Sequence, residues 1–461
     1  MARSAAQVFF CRECGNEFPQ WVGRCPECRA WDSLAAAPSA PKAGSGKGSA
    51  REAAPLTDAD RARPVAEISP GEGGARLAVP GEELGRVLGG GLTRGSAVLV
   101  AGDPGVGKST LLLELGEKLS ASGSRCLYAS CEESAAQTRL RAERLGAGST
   151  QLFVLARGDL ETITSECARV NPAVLIVDSI QMTYSPNSSG AAGSVAQVRE
   201  CASQLIRLAK ERGIALFLVG HVTKEGSIAG PRVLEHMVDT VLHFEPAGSG
   251  QCRQLRAVKN RFGPTNEVAF FDMTARGLRE IPEPSALLLG ERGEARQGAV
   301  AFPALGGSRV LMVELQALCS PAVEGYSHRR ATGLDSGRLH MLLAVLARRA
   351  ELNLAGCDVF ANVAGGLQVD EAAADLPLCA AVVSSLRERP VSQKLALAGE
   401  VGLGGELRPV RRATDRVREA ARHGFDTIIL PRSSARGASR AGDIKVMAAT
   451  SVVEALELAL A

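Results

Sequence analysis

A glycine-rich turn between a predicted strand and a predicted helix constrains this chain more than any other feature. The turn fits the pattern G-x-x-x-x-G-K-[ST] and consists of Gly102, Asp103, Pro104, Gly105, Val106, Gly107, Lys108 and Ser109. The apolar run Ala97–Ala101 precedes it, and a helical segment from Thr110 to Leu119 follows. Glycines let successive N–H groups point at phosphate oxygens, and a helix N-terminus favours negative charge. The sequence therefore predicts that residues 102–110, Thr110 included, bind a nucleotide.

Two polar residues are expected to hold a magnesium ion beside the phosphates. Lys108 should reach the β- and γ-phosphates, and the Ser109 hydroxyl should ligate Mg²⁺. Asp178 directly follows the apolar run Val174–Val177. An apolar strand that ends in aspartate is the Walker B pattern, so Asp178 should hold the Mg²⁺ shell. The alternative is that Asp178 only caps the next segment.

Hydrolysis of a nucleotide also needs a group that orients the attacking water. Glu132 and Glu133 follow the predicted strand Cys126–Ala129, so one of them is a candidate general base. The alternative is an acidic pair in the first turn of a helix, where the helix dipole favours negative charge. The sequence does not choose between the two glutamates.

Short apolar runs separated by helical segments predict an α/β fold with a mainly parallel sheet over residues 65–282. The predicted strands are Ala97–Ala101, Cys126–Ala129, Leu152–Leu155, Val174–Val177 and Ile214–Val219. Gln254–Val258 and Val268–Phe271 are expected to form an added hairpin. Beyond Pro282 and Pro284 a second α/β region covers residues 285–461, with strands at Arg309–Gln316 and Asp358–Ala364 and helices at Ser336–Ala350, Asp375–Arg389, Arg412–His423 and Ser451–Leu460.

A cysteine cluster marks residues 1–34 as a separate metal-binding module. Cys11, Cys14, Cys25 and Cys28 form two C-x-x-C pairs, which suit a closed tetrahedral Zn²⁺ site. An iron–sulfur cluster and a redox dithiol are the alternatives. Residues 35–64 are rich in Ala, Pro, Ser and Gly and are expected to be a flexible linker, with a short helix near Asp58–Arg63 as the alternative.

Composition excludes several classes of protein. A net charge of +3 is too small to predict nucleic-acid binding by itself, so any DNA-binding surface must be local. No apolar run approaches the length that spans a bilayer, and no secretory signal is evident. We therefore expect a protein of the reducing cytoplasm with no membrane partner.

Together these motifs resemble the RadA (Sms) family of bacterial recombination and repair ATPases. The most specific element is Lys259-Asn260-Arg261-Phe262-Gly263, and three further stretches are similar: Cys131–Ser134, Asp178–Gln181 and Gly220–Lys224. The resemblance implies an N-terminal zinc ribbon, a RecA-like P-loop core and a Lon-protease-like C-terminal domain. It also implies a DNA-dependent, helicase- or translocase-like ATPase that forms a hexameric ring and is associated with the nucleoid. Its expected partners are single-stranded and branched DNA, RecA, and the replicative helicase or other repair proteins.

The resemblance also assigns roles to residues outside the phosphate site. Lys259 and Arg261 would act across a subunit interface on the neighbour's ATP. The alternative is that they are two basic residues on a hairpin exposed to solvent, without a role in catalysis. Lys224 and Arg232 would contact DNA phosphates from loops, and Pro186–Ser194 would be another such loop. His221 matches a sensor position, with a buried strand-end histidine as the alternative.

The resemblance of the C-terminal region to the Lon protease domain rests on residues 399–410. In the Lon pattern D-G-P-S-A-G the nucleophilic serine position corresponds to Ala373, and no lysine occurs near Arg411–Thr414. A serine–lysine mechanism needs both groups, so we expect no peptidase activity. Two other functions compete with the motor: an ATP-regulated scaffold for DNA repair, and a Lon-type protease, which Ala373 disfavours.

Overall fold

A computed structural model describes most of the chain from residue 76 to residue 460. The gaps in this range are residues 189–190, 222–232, 248–251, 266, 291–294 and 323–326, and short segments are also described before residue 76. The chain forms two compact units. The first comprises Met1–Phe244, Ala257–Gly263 and Ala275–Gly277, and the second comprises Glu245–Arg256, Pro264–Thr274 and Leu278–Ala461.

A small antiparallel sheet forms at the N-terminus. Its strands are β1 (Phe9–Cys11), β2 (Glu17–Phe18) and β3 (Leu34–Ala36), in the order β2-β1-β3. Cys11 ends β1, whereas the other predicted zinc ligands, Cys14, Cys25 and Cys28, lie outside the described residues. The two predicted DNA contacts, Lys224 and Arg232, also lie outside them.

A parallel sheet forms the centre of the first unit. The strands between residues 76 and 246 are β4 (Arg76–Leu77), β5 (Leu92–Thr93), β6 (Ala97–Gly102), β7 (Cys126–Ser130), β8 (Leu152–Leu155), β9 (Val174–Asp178), β10 (Ala215–His221) and β11 (Thr240–Pro246). The helices are α1 (Glu82–Val87), α2 (Lys108–Ala121), α3 (Ala135–Arg144), α4 (Leu160–Val170), α5 (Val195–Arg212) and α6 (Val233–Met237). Strands β11, β6, β10, β9, β7 and β8 pair in this order and all run parallel. The five strands predicted from apolar runs are thereby confirmed.

Local sequence explains where these elements begin and end. Every residue of β6, β7 and β9 is buried, as expected for strands covered on both faces. Ser134 forms a capping box with Gln137 at the start of α3, and Asp159 caps α4. Because the strands are parallel, their carboxyl ends meet at one edge of the sheet, where ligands bind in open α/β sheets.

The remaining elements follow residue 251. The strands are β12 (Cys252–Asn260), β13 (Val268–Thr274), β14 (Gly277–Glu280), β15 (Ala299–Gly306), β16 (Arg309–Pro321), β17 (Arg329–Thr332), β18 (Cys357–Val363), β19 (Leu395–Leu397), β20 (Glu400–Val401), β21 (Leu407–Arg408), β22 (Thr427–Pro431) and β23 (Lys445–Ala449). The helices are α7 (Pro284–Leu289), α8 (Ser336–Arg349), α9 (Asp375–Leu386), α10 (Ala413–Arg422), α11 (Arg432–Ala438) and α12 (Val452–Leu460). Strands β12 and β13 are antiparallel, with Cys252 opposite Asp272, so the predicted hairpin is confirmed.

A mixed sheet and the buried helix α9 form the core of the second unit. The strand order is β17-β18-β16-β15-β19-β22-β23, and the four helices predicted from the sequence of this region are confirmed. The guanidinium of Arg416 is buried, pairs with Glu371 and lies 5.7 Å from the ring centroid of Phe302. Ala373 is also buried and lies two residues before Asp375, the first residue of α9.

No helix in the described part of the chain combines the length and the apolar character needed to cross a membrane.

Candidate nucleotide site

The glycine-rich turn connects β6 directly to α2. Gly102 ends the strand, and Gly107 has a φ of 111° immediately before Lys108, the first residue of the helix. No side chain caps the start of α2, which leaves the first turn of the helix suited to an anion. A Cβ atom at Gly102 would lie 2.1 Å from the carbonyl oxygen of Phe244. The turn therefore needs glycine at position 102, because the backbone of the neighbouring strand β11 leaves no room for a side chain.

Lys108 is a buried cation that faces several acceptors. Its Nζ donates to the carbonyl oxygens of Gly102 at 2.7 Å and Asp103 at 2.9 Å, and only 4% of the residue is exposed. Burial lowers the pKa of Lys108, while the carboxylates of Asp178, Asp103 and Glu132 oppose this shift. The structure thus brings Lys108, Asp178 and Glu132 to one edge of the sheet.

Asp178 is held by a residue that the sequence analysis did not identify. The Tyr128 hydroxyl donates to Asp178 Oδ2 at 2.5 Å, and both residues are buried. Burial and the neighbouring carboxylate raise the pKa of Tyr128 well above its ordinary value, so the phenol remains a donor at neutral pH.

The two glutamates after β7 lie in different surroundings. The hydroxyl of buried Ser179 donates to Glu132 Oε1 at 2.5 Å, and Glu132 is itself exposed. Glu133 pairs instead with Arg141 on α3. The charge of Glu132 acts on Lys108, whereas that of Glu133 acts on Tyr128. The geometry therefore distinguishes two residues that the sequence alone did not.

Lys259 and Arg261 do not lie at this site. Arg261 Nη1 donates to Asp239 Oδ1 at 3.3 Å, and Asp239 Oδ2 accepts from the backbone N–H of Ala97 at 3.0 Å. Lys259 Nζ donates to the carbonyl oxygens of Glu235 and Val238. Since Ala97 begins β6 and Gly102 ends it, a strand length of roughly 16 Å separates Arg261 from the phosphate loop. Within one chain, both basic residues lie at the opposite edge of the sheet.

Close backbone packing fixes the loop that carries Arg261. A Cβ atom at Gly263 would lie 2.7 Å from the Cα atom of Gly89, and Arg76 donates to the carbonyl oxygen of Phe262 at 2.5 Å. Sequence reasoning did not identify Gly89 or Asp239 as partners of this loop. No local pattern signals them, because each lies far from residues 259–263 in the sequence.

The oxygen donors at the carboxyl edge suit a magnesium ion. Ser109 is half-buried at the start of α2 and supplies a hydroxyl, and Asp178 supplies a carboxylate. Hard oxygen ligands of this kind, shared with phosphate oxygens, are the usual Mg²⁺ environment in nucleotide sites. A parallel sheet with this turn and these donors at its carboxyl edge defines a P-loop ATPase domain.

Comparisons with known proteins specify the family. Residues 70–227 match the AAA domain, residues 9–36 match the rubredoxin metal binding domain, and residues 346–434 match subunit ChlI of Mg-chelatase. DNA repair protein RadA of Bacillus subtilis (strain 168) is 45% identical over all of both chains. The RadA proteins of Pseudomonas aeruginosa and Halalkalibacterium halodurans are 47% and 44% identical, each over 98% of both chains. The chain therefore belongs to the RadA family of DNA repair proteins.

This membership confirms the family and the fold class that the sequence motifs predicted. The chain has an N-terminal zinc ribbon, a RecA-like P-loop core with a mainly parallel sheet and a Lon-like C-terminal domain.

Replacement of Gly102 tests the geometry of the turn. We expect Gly102→Ala to lower the free energy of unfolding by about 1–3 kcal/mol and to weaken nucleotide binding, because its methyl group overlaps the Phe244 carbonyl oxygen. Urea unfolding and titration with a fluorescent ATP analogue measure the two effects. Gly148→Ala is the matched control, because a Cβ atom there meets nothing within 4 Å. Wild-type stability and affinity in Gly102→Ala would contradict the described turn.

Proposed function

We propose that this protein is a DNA-dependent ATPase motor of recombinational DNA repair that processes and branch-migrates recombination intermediates. The observation that carries the proposal is the meeting of Lys108, Asp178 and Glu132 at the carboxyl edge of the parallel sheet. A buried cation, a carboxylate for a metal ion and an exposed carboxylate are the groups that hydrolysis of ATP requires. The RadA relatives support DNA repair as the setting.

In the proposed reaction the chain binds the phosphates and positions one water molecule. Backbone N–H groups within residues 102–110, apart from Pro104, which has none, and the ammonium of Lys108 hold the β- and γ-phosphates. Ser109 and Asp178 hold Mg²⁺, which when bound neutralises phosphate charge. Glu132 orients the water and accepts its proton while the water oxygen bonds to the γ-phosphorus and the bond to the β–γ bridging oxygen breaks.

Glu132 is our choice for this role over Glu133. Ser179 holds one oxygen of Glu132, and the exposed side chain remains accessible to water. Glu133 instead pairs with Arg141, so one of its carboxylate oxygens is already occupied by a guanidinium group.

Lys259 and Arg261 are proposed to complete the site of a neighbouring subunit. Their position at the opposite edge of the sheet excludes contact with the ATP of their own chain without a large movement, whereas a ring of copies can place one subunit's edge against the next. Arginine supplied in this way stabilises the charge that develops during phosphoryl transfer. A hexameric ring is the assembly that we propose.

The partners are proposed from the family rather than from contacts. Lys224 and Arg232 would bind phosphates of single-stranded or branched DNA, and RecA would supply the joined strands, with the replicative helicase or other repair proteins as further partners. The protein would act in the cytoplasm at the nucleoid. Cys11, Cys14, Cys25 and Cys28 would hold Zn²⁺ in a module of residues 1–34, followed by a linker of residues 35–64.

The C-terminal region is proposed to be a scaffold without peptidase activity. A buried methyl group at Ala373 offers no nucleophile where the Lon pattern has serine. We propose residues 65–282 for the ATPase domain and residues 285–461 for this region.

Conservative substitution separates the two glutamates. Glu132→Gln keeps the size of the side chain but removes the base, so we expect kcat for ATP to fall by about 100-fold or more. Glu133→Gln removes a partly exposed ion pair, so we expect kcat to change by less than about threefold. Steady-state phosphate release measures both. The opposite ranking would assign the role to Glu133, and two equally mild effects would remove both glutamates from the mechanism.

Mixed rings test whether Arg261 acts across subunits. Lys108→Ala and Arg261→Ala should each abolish turnover alone. An equal mixture should recover about a quarter of the wild-type rate per site, because that fraction of interfaces combines an intact Lys108 with an intact Arg261. Arg279→Ala, which removes an exposed arginine, is the matched control and should keep its activity. No recovery after verified subunit exchange would contradict action in trans.

A further inference from the structure

Tyr128 reaches the phosphate site from a neighbouring strand. Residues Tyr128 and Ser130 of β7 lie opposite Ile176 and Asp178 of β9. Since alternate residues of a strand share a face, the side chains of Tyr128 and Asp178 project from the same face of the sheet. The tyrosine therefore reaches Asp178 diagonally across one strand boundary, and its hydroxyl donates to Oδ2 at 2.5 Å.

The hydroxyl group of Tyr128 is not needed for packing. The residue is 1% exposed within a strand that is buried throughout, where phenylalanine would fill nearly the same space. Burying a hydroxyl costs free energy unless the group is hydrogen-bonded. Within the described residues, the partner of this hydroxyl is Asp178. The bond to the carboxylate is thus the physical reason for tyrosine at this position.

The bond restricts Asp178 before any metal ion arrives. Asp178 Oδ2 accepts a hydrogen bond from the Tyr128 hydroxyl, which restricts rotation of the carboxylate, while Oδ1 faces no demand from this bond. Groups that hold a metal ligand in this way typically change metal affinity 10- to 100-fold when they are removed. The Arg141–Glu133 pair lies near enough to influence the same phenol electrostatically.

We propose that Tyr128 is a positioning residue that orients the Asp178 carboxylate for Mg²⁺ at the nucleotide site. The inference rests on the proposed function, because it assumes that ATP and Mg²⁺ bind at this edge of the sheet. Tyr128 acts through Asp178 and touches neither the nucleotide nor the reacting atoms.

The test is metal-dependent nucleotide binding by the full-length Tyr128→Phe variant. A fluorescent nonhydrolysable ATP analogue is held at a fixed concentration, and Mg²⁺ or Mn²⁺ is titrated. We expect the metal concentration at half-saturation to rise about 10-fold, while affinity for the analogue in EDTA stays unchanged. Electron paramagnetic resonance of bound Mn²⁺ reports the same shift without any turnover.

Two further variants make the outcome decisive. Tyr184→Phe removes the hydroxyl of a tyrosine that is 44% exposed and should match wild type. Adding Tyr128→Phe to Asp178→Asn should have no further effect on metal affinity, because the acceptor carboxylate is already gone. Unchanged affinity for the analogue in the presence of EDTA also shows that the nucleotide site of the Tyr128→Phe variant is folded.

The possible failures are distinguishable. If wild type binds the analogue with no dependence on metal ion, the proposed ATP–Mg²⁺ site is wrong. If wild type shows the dependence and Tyr128→Phe shows the same midpoint, only the role of Tyr128 is wrong. A loss of affinity in EDTA equal to the loss in Mg²⁺ would indicate a general structural effect and would also overturn the inference.

Discussion

The nucleotide site depends on the buried ammonium group of Lys108, which lies among oxygen atoms that can accept hydrogen bonds but cannot donate them. Lys108 reaches two carbonyl oxygens of its own turn, and three carboxylates act on its charge. Burial disfavours the charged form of a lysine, whereas nearby negative charge restores it. A triphosphate with its metal ion fits this arrangement because it brings both negative charge for Lys108 and a cation for Asp178. The glycine-rich turn, the start of α2 and the end of β9 therefore act together electrostatically.

The parallel sheet explains why two basic residues of the motif Lys259–Gly263 lie far from this unit. Strand β11 runs parallel to β6, so Asp239, which precedes β11, meets Ala97 at the start of the phosphate-loop strand. Asp239 then binds Arg261. The buried carboxylate of Asp239 thus contacts both Ala97, the first residue of β6, and Arg261 of the motif Lys259–Gly263. In the proposed ring, β6 would connect the two edges of the sheet. Arg261 at the amino edge would act on the ATP of a neighbouring subunit, and the phosphate loop at the carboxyl edge would bind the ATP of the same chain.

The sequence predicted those parts of the site that are contiguous in the chain. Residues 102–109 and the end of β9 follow local patterns, and the parallel sheet follows from short apolar runs. The roles of Tyr128 and Asp239 could not be predicted because they depend on strand register and order, which bring residues 50 and 142 positions apart into contact. The contact of Glu132 with Ser179 depends on the same strand order. Glu133 and Arg141 lie only eight residues apart, but their pairing also became evident only in the structure. Three of the four predicted zinc ligands, Cys14, Cys25 and Cys28, lie outside the described residues, as do Lys224 and Arg232. The roles of these residues and of Cys11 therefore stay predictions.

The most direct test of the account is the rate of ATP hydrolysis with and without single-stranded DNA. The proposed motor would couple its catalytic site to DNA, so turnover by purified wild-type protein should rise several-fold when DNA is added. Lys108→Ala should show no turnover in either condition. A wild-type rate that DNA leaves unchanged would favour an ATP-regulated scaffold, and absence of hydrolysis under every DNA condition would contradict the account altogether.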